Sequence, residues 1–255
     1  MESSHFRTRR VMQVLSWTAV AAAMGVVDAY VAPFQESILS PYMSQLRWSV
    51  NNPMICQGVL VGPTFVLVTR ACADIDNGVA ANTVGASKLV VGATYIDRGL
   101  DDGEWIPVLK KHYSTNATVE FAMIELARPS KYPPVRILWD DVVPGSLVWL
   151  RGWFPLIQHE PLNTLKTITV QILANDKCEA LLNRRMYEYQ VCADNDNINY
   201  CTWRIYGSLL IEIDGSDYLV GMASFANCVV TPTWQRFNRV SAGRSFIEPF
   251  LCNGT

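Results

Sequence analysis

Histidine and charged side chains are scarce in this sequence. It contains three histidines among 255 residues, and Asp, Glu, Lys and Arg together make up 17%. The formal net charge of -2 gives no electrostatic basis for binding nucleic acid, which favours a basic surface. The sequence also has no CxxC pair and no cluster of Cys and His, so nothing indicates a zinc site. We therefore predict no metal, no cofactor and no nucleic-acid partner.

Long apolar runs are missing beyond the N-terminus. Residues 1–29 have the pattern of a secretory signal peptide, in which a basic stretch at residues 7–10 precedes the largely apolar run Val11–Val27. Val27-Asp28-Ala29 offers a site for cleavage. A membrane anchor is the alternative interpretation, but the run is shorter than the roughly 20 residues that a spanning helix needs. We therefore predict a secreted, extracellular protein with no membrane association after cleavage.

Cysteines and glycosylation sequons fit the same compartment. The sequence holds seven cysteines, and in a secreted chain these predict disulfide bonds. Two Asn-x-Thr sequons begin at Asn116 and Asn253. They predict N-linked glycosylation at both asparagines.

The chain after the leader has the pattern of an all-β protein. Residues 30–53 show no clear period and form an N-terminal segment, and residues 54–252 form one domain without internal repeats. Short strands separated by Gly and Pro turns, with a helix late in the chain, indicate β-barrels. The predicted strands include Lys88–Val91, Trp105–Val108, Leu147–Trp153, Lys166–Leu173, Leu209–Ile213, Tyr218–Phe225 and Phe237–Val240, and the predicted helices are Asn175–Leu182 and Ser245–Leu251.

Three segments carry a family resemblance. The run CQGVLVGPTFVLVTRAC, from Cys56 to Cys72, is similar to C-G-G-x-L-I-x-P-x-W-V-L-T-A-A-H-C. The run VEFAMIELARP, from Val119, is similar to N-D-I-A-L-L-x-L-x-x-P, and CTWRIYGSLL, from Cys201, follows the frame of C-x-G-D-S-G-G-P-L. Over about residues 54–251 the chain resembles the chymotrypsin-like (trypsin-type) serine proteases.

This resemblance implies a specific fold and specific disulfides. The fold is two packed six-stranded antiparallel β-barrels of the trypsin-like type, with a short intermediate helix and a C-terminal helix. The implied disulfides are Cys56–Cys72, Cys178–Cys192 and Cys201–Cys228. Cys252 then has no partner within the chain and is either a free thiol or part of an intermolecular bridge.

The residues of catalysis are replaced at the positions that the resemblance defines. Serine-protease chemistry needs a hydroxyl, an imidazole within hydrogen-bond reach and a carboxylate that orients the imidazole. The three aligned positions are Ile205, Ala71 and Glu120. A hydrocarbon side chain neither attacks a carbonyl nor transfers a proton, and losing the serine or the histidine alone costs about a million-fold in turnover. The resemblance therefore implies a protease fold that does not cut.

A rebuilt catalytic site is the alternative to an inactive one. His112 and His159 are the histidines that follow the leader, and we predict that both are solvent-exposed. Ser208 or Ser224 could act as a nucleophile, or could be an ordinary serine of a turn or strand.

Four residues at the former cleft are candidates for binding a partner. By the resemblance, Trp203 replaces a glycine of the oxyanion hole, Asn199 replaces the specificity-pocket acid and Phe225 lies in the substrate-binding S-W-G. Tyr206 likewise replaces a small residue. Aromatic residues of this kind are favoured at interface hot spots. Alternatively, these side chains fill the void left by the lost site.

Two further segments resemble the secreted glucanase inhibitor proteins of oomycetes. SKLVVGATYIDRGLDDGEWIPV is similar to V-x-V-G-T-H-Y-x-x-G-x-x-D-G-E-x-I-x-V, and ARPSKYPPVRI is similar to E-K-P-S-K-F-x-P-V-K-L. This resemblance implies a virulence protein that binds and inhibits a secreted plant endo-β-1,3-glucanase in the host apoplast. A decoy or scaffold for another protein partner, and an active serine endopeptidase, are the alternatives.

Overall fold

The described residues fold into two β-barrels with three α-helices. The computed structural model describes residues 40–49, 54–79, 88–96, 98, 101–116, 119–154, 164–183, 185–194, 206–223 and 234–252. In this described part, none of the helices is both long enough and apolar enough to cross a membrane.

Six antiparallel strands form the first barrel. They are β1 Met43–Arg47, β2 Cys56–Gly62, β3 Phe65–Thr69, β4 Lys88–Val91, β5 Glu104–Tyr113 and β6 Phe121–Leu126. The barrel closes in the order β1-β2-β3-β6-β5-β4. The pairing of β3 with β6 places Val66 opposite Ile124 and Leu67 opposite Met123. All four side chains are inaccessible to solvent, so this pair of strands forms a central part of the core.

The strands of the second barrel are β7 Arg136–Ile137, β8 Leu147–Trp153, β9 Lys166–Leu173, β10 Gln190–Asp194, β11 Tyr206–Ile213, β12 Ser216–Ala223 and β13 Trp234–Arg239. The barrel follows the order β11-β8-β9-β10-β13-β12 and closes through the pairing of β11 with β12. The short strand β7 adds to β12 in a parallel pairing. The α-helices of the described residues are α1 Arg70–Val79, α2 Asn175–Leu182 and α3 Arg244–Cys252.

The predicted fold class is confirmed, together with the intermediate helix α2 and the C-terminal helix α3. Some predicted bounds are wrong at their ends. The strand predicted at Trp105–Val108 extends over Glu104–Tyr113, because its outer half continues to pair with β6. The last two strands begin earlier than predicted, at Ser216 and Trp234.

Strand β1 comes from the segment in which the sequence shows no period. All five of its residues are buried, including the polar Ser44, Gln45 and Arg47. The polar ends of Gln45 and Arg47 turn to nearby backbone and to each other, since Gln45 Nε2 donates to Tyr95 O at 2.9 Å and Arg47 Nε donates to Gln45 Oε1 at 2.8 Å. Alternation of polar and apolar residues is lost when a strand is buried on both faces.

The largest apolar cluster runs from the first barrel across the interface to the second. It contains the barrel-one residues already described and also Trp153, Leu210 and Leu219 of the second barrel. A separate cluster, which includes Leu150 and Phe237, fills the second barrel itself. Burying a side chain of this size contributes about 1.5–3 kcal/mol, so the shared cluster stabilises the packing of the two barrels against each other.

Two of the three expected disulfides lie in the described part of the chain. Cys56 of β2 is bonded to Cys72 of α1, and Cys178 of α2 is bonded to Cys192 of β10. Each bond ties a helix to its barrel. The pair Cys201–Cys228 lies outside the described residues, as does the side chain of Cys252 at the end of α3.

Candidate functional site

The structure brings together two of the three positions aligned with the catalytic triad. Strand β3 ends at Thr69, whose hydroxyl accepts a hydrogen bond from Cys72 N at 3.3 Å and so fixes the first turn of α1. Arg70 N then donates to Glu120 O at 2.9 Å. Ala71, the next residue of α1, therefore lies beside Glu120, at the edge of the first barrel that faces the second.

Glu120 borders a narrow cleft between the barrels. Phe121 lines the cleft from the first barrel, and Tyr189 and Asn238 line it from the second. Burial, together with the negative charge of Glu120, raises the pKa of Tyr189 above its usual range. Outside the cleft, which we call the groove, Tyr187 stacks on Tyr189 with ring centroids 5.2 Å apart. Exposed aromatic surface therefore continues from the groove.

The chemistry available at this groove is limited by the side chain of Ala71. A methyl group neither accepts nor donates a proton, so Ala71 does not supply the imidazole that a carboxylate at the position of Glu120 would orient. His112 is the only histidine in the described part of the chain. Its Nε2 lies 2.8 Å from Glu125 Oε2, and its ring packs against Phe250 of α3.

The expectation that His112 is a free surface histidine is wrong. Its side chain is only 22% exposed, because helix α3 covers that face of β5 and brings Phe250 against the imidazole. The histidine is therefore part of the packing between α3 and the first barrel. His159 lies outside the described residues.

The former nucleophile segment is described only from Tyr206 onward. Tyr206 begins β11 opposite Trp153, and the structure describes its backbone but not its side chain. A Cβ atom at Gly207 would lie 2.4 Å from Leu150 Cδ1, which explains why this glycine of the motif is retained. The other candidate residues of this region lie outside the described residues; they are Asn199, Trp203, Ile205, Ser224 and Phe225.

Ser208 has a structural role that the sequence does not reveal. It is fully buried, and its Oγ accepts a hydrogen bond from Gln57 Nε2 of the first barrel at 2.7 Å. Ser208 stands at the proline of the motif G-G-P-L, and Gln57 stands at the first glycine of C-G-G. Both departures are visible in the sequence, but their 151-residue separation hides the fact that they form one pair.

A second polar contact between the barrels is also invisible in the sequence. Tyr42, just before β1, donates its hydroxyl hydrogen to Asp217 Oδ2 of β12 at 2.6 Å. Arg151 of β8 contacts both the Tyr42 hydroxyl and the Asp217 carboxylate. Burial raises the pKa of Tyr42 above its usual range. We call Tyr42, Arg151 and Asp217 the inter-barrel clamp.

Comparison with known families agrees with this geometry. The family model described as Trypsin matches residues 33–247. The chain therefore belongs to the trypsin family.

Within that family, the chain is similar to proteins named as glucanase inhibitors. It is 27% identical to glucanase inhibitor protein 1 of Phytophthora infestans, over 73% of each chain. It is 28% identical to glucanase inhibitor protein 2 of the same organism, over 81% of this chain and 82% of the relative. It is 25% identical to glucanase inhibitor protein 3 of Phytophthora sojae (strain P6497), over 94% of this chain and 99% of the relative.

The described residues contain no group of three or more His, Cys, Asp or Glu side chains that could hold a metal ion. The predicted glycosylation site Asn116 is exposed on the turn between β5 and β6. The second predicted site, Asn253, lies outside the described residues.

Proposed function

We propose that this chain is a secreted, catalytically inactive member of the trypsin family that binds and inhibits an endo-β-1,3-glucanase of a host plant. In this proposal residues 1–29 are a cleaved signal peptide, residues 30–53 are an N-terminal segment that supplies strand β1 to the first barrel, and residues 54–252 supply the rest of the binding domain. The protein acts outside the pathogen cell, in the host apoplast, as a virulence factor.

The observation that carries the proposed inactivity is the pairing of Ala71 with Glu120 at the groove. The hydrogen bond from Arg70 N to Glu120 O holds the two positions together, as a triad requires, yet the position that needs an imidazole has a methyl group. Ile205 supplies no hydroxyl in sequence. Ser208, the described alternative, is buried and engaged by Gln57, which leaves no path to a substrate carbonyl.

The proposed partner is supported by the names of the relatives and by the residues near the former cleft. A barrel fold with an unused groove still offers a pre-formed, loop-rimmed surface, and binding commonly lives on such loops. Trp203, Tyr206 and Phe225 are the aromatic candidates for the contact, with Asn199 beside them in sequence. The disulfides and the leader fit an extracellular site of action.

Titration of a purified plant endo-β-1,3-glucanase with the mature protein tests this proposal, with β-1,3-glucan hydrolysis as the readout. Hydrolysis is expected to fall and to reach a plateau as the complex saturates. Trp203→Ala is expected to raise the concentration needed by more than about tenfold, as loss of a hot-spot aromatic does. Unchanged hydrolysis at micromolar concentrations of the wild-type protein would reject the proposed partner.

Leu147→Ala is the matched control for that variant. Leu147 is an apolar residue that is 64% exposed, and it lies at the end of β8 opposite to the end that pairs with Tyr206. Its removal is expected to leave inhibition unchanged. An equal loss in both variants would indicate nonspecific adhesion rather than a defined interface.

A further inference from the structure

Residues 187–190 form a tight turn that leads into β10 and that neighbouring groups hold in place. Gln190 N donates to Tyr187 O at 2.9 Å, and Tyr187 N donates to Gln190 Oε1 at 3.3 Å. Gln190 itself is buried. Strand β13 holds the other part of the turn, since Arg239 N donates to Tyr189 O at 2.8 Å. The backbone of the turn is therefore fixed before any partner arrives.

This turn carries two tyrosine rings at the surface. Tyr187 is 48% exposed, Tyr189 is half-buried, and the angle between the planes of the two stacked rings is 5°. The guanidinium carbon of Arg185 lies 5.9 Å from the centre of the Tyr187 ring. Tyrosine offers a large and rigid contact area at a low cost in conformational entropy. We call Arg185, Tyr187, Glu188, Tyr189 and Gln190 the tyrosine turn.

The charges beside the rings indicate which kind of partner fits the tyrosine turn. Arg185 and Glu188 are both exposed and carry opposite charges, so the turn has no single sign of charge that would attract a polyanion or an anionic membrane. Aromatic residues and arginine are enriched in protein–protein interfaces. A folded protein whose surface is mixed in charge is therefore the class of partner that matches this chemistry.

The tyrosine turn is continuous with the groove. Tyr189 lines the cleft together with Glu120, so the turn and one of the triad-aligned positions share a surface. A partner that lies over the groove also reaches Tyr187, because the ring of Tyr187 stacks on that of Tyr189. Since the backbone of the turn is already fixed, little conformational entropy is lost when a partner packs against it.

We propose that the tyrosine turn is an anchoring part of the surface that holds the plant endo-β-1,3-glucanase, with Tyr187 as its central side chain. This assignment rests on the proposed function and names a contact of the same binding surface. In the complex the glucanase covers the exposed part of the Tyr187 ring, and Arg185 and Glu188 form a polar rim around it. Burial of an aromatic side chain inside a polar rim is the usual arrangement of an interface hot spot.

Titration of a purified plant endo-β-1,3-glucanase with the Tyr187→Ala variant tests this assignment, with β-1,3-glucan hydrolysis as the readout. The concentration for half-maximal inhibition is expected to rise more than about tenfold relative to the wild-type protein. Tyr187→Phe keeps the ring and is expected to stay within about threefold. The hydrogen bonds of Tyr187 within the turn use its backbone, so both variants are expected to keep the turn. A rise of less than about tenfold in Tyr187→Ala would overturn the assignment.

Leu181→Ala is the matched control for Tyr187→Ala. Leu181 lies on α2 and is 47% exposed, nearly the same fraction as Tyr187, and its replacement is expected to leave inhibition unchanged. An equal loss in both variants would contradict an anchor at the turn. Hydrogen exchange of the wild-type complex needs no variant: peptides that cover residues 185–190 are expected to gain protection when the glucanase binds, and unchanged exchange there would also overturn the assignment.

These measurements separate failure of this inference from failure of the proposed function. If the wild-type protein does not inhibit the glucanase, the two fail together. If it inhibits and Tyr187→Ala inhibits equally well, the function stands and the inference is wrong. Calorimetric titration of the wild-type protein with a soluble β-1,3-glucan alone is expected to show no binding, and saturable binding that Tyr187→Ala abolishes would show that the turn holds the polysaccharide instead.

Discussion

The groove and the interface beneath it lie between the same two barrels, yet their polar side chains differ in purpose. At the groove, Ala71 occupies the position that the sequence aligns with the histidine of an active family member. Elsewhere between the barrels, the inter-barrel clamp and the Gln57–Ser208 bond join residues that are far apart in sequence. The side chains that hold the barrels together are thus distinct from those at the triad-aligned positions, so residues at the triad-aligned positions can change while the fold persists.

Removing the carboxylate of the inter-barrel clamp is expected to have the largest effect on stability. Asp217→Ala leaves the guanidinium of Arg151, whose side chain is 9% exposed, without its counter-charge. The expected loss in the free energy of unfolding is about 3 kcal/mol, near the lower limit for breaking a buried ion pair because Asp217 keeps some contact with solvent. Urea unfolding measures this loss.

Asp214→Ala is the matched control for that variant, because Asp214 is exposed in the turn between the same two strands, β11 and β12. Asp214 has a positive φ of 51°, so its replacement by Ala has a modest effect of its own on the free energy of unfolding, and the control measures that effect directly. A loss at Asp217 no larger than the loss at Asp214 would contradict the role given to the clamp.

The clamp also predicts a dependence of stability on alkaline pH. The folded state raises the pKa of Tyr42, so it holds the phenolic proton more tightly than the unfolded state does. Its contribution is complete below the unfolded value of about 10 and is lost as the pH rises from there toward the raised folded value. Tyr42→Phe is expected to cost about 2 kcal/mol at neutral pH and to remove this part of the alkaline decline.

Chemical unfolding gives the free energy of unfolding of the wild-type protein and of the Tyr42→Phe variant at pH 7 to 11. The difference between the two free energies measures the effect, because the titration of other groups is shared and cancels. The gap between them is expected to narrow above about pH 10. A gap that is constant over this range would show that Tyr42 has no raised pKa.

The neutral Gln57–Ser208 bond is expected to contribute less to the free energy of unfolding than the charged inter-barrel clamp does. Ser208→Ala removes the acceptor of Gln57 Nε2 and leaves a buried amide without it. The expected loss is about 1–2 kcal/mol, as for an unsatisfied buried donor. The double variant Gln57→Leu with Ser208→Ala is expected to recover part of this loss, and a double variant less stable than Ser208→Ala would contradict that account.

The smallest effect is expected at the groove itself. Ala71→His restores the imidazole position at a partly exposed residue, so the free energy of unfolding is expected to change by less than about 0.5 kcal/mol. Peptide hydrolysis is expected to stay absent, because Ile205 still supplies no nucleophile. A large stability change here would show that groove and interface are coupled after all.

Local chemistry explains which parts of the fold were predictable. Strands Leu147–Trp153 and Lys166–Leu173 and helix Asn175–Leu182 have the bounds that the sequence predicts. No side chain caps this helix, since Ala174 occupies the N-cap position, and Asn175 Nδ2 donates to Gln190 O. The bounds could be predicted because periodicity is local, whereas the hydrogen bond of Asn175 depends on the neighbouring strand β10.

Long-range contacts explain what the sequence could not predict. Strand β1 has no alternating pattern, and its buried Gln45 and Arg47 form hydrogen bonds with residues about 50 positions away. Tyr42, Arg151 and Asp217 come from three strands or their margins and carry no shared motif. Of the candidate site, the resemblance aligned Ala71 and Glu120 with two triad positions, and the backbone bond from Arg70 N to Glu120 O lies beside Ala71. The resemblance could not reveal that Gln57 and Ser208 are partners.

The central claim is that this trypsin-family fold holds a glucanase without performing chemistry on it. The most direct test incubates the mature protein with a purified plant endo-β-1,3-glucanase and a fluorophosphonate probe, and follows the intact masses of both proteins while glucan hydrolysis is recorded. The account predicts falling hydrolysis with both masses unchanged and no probe adduct on this chain. A cleaved glucanase, or a fluorophosphonate adduct on this chain, would contradict it.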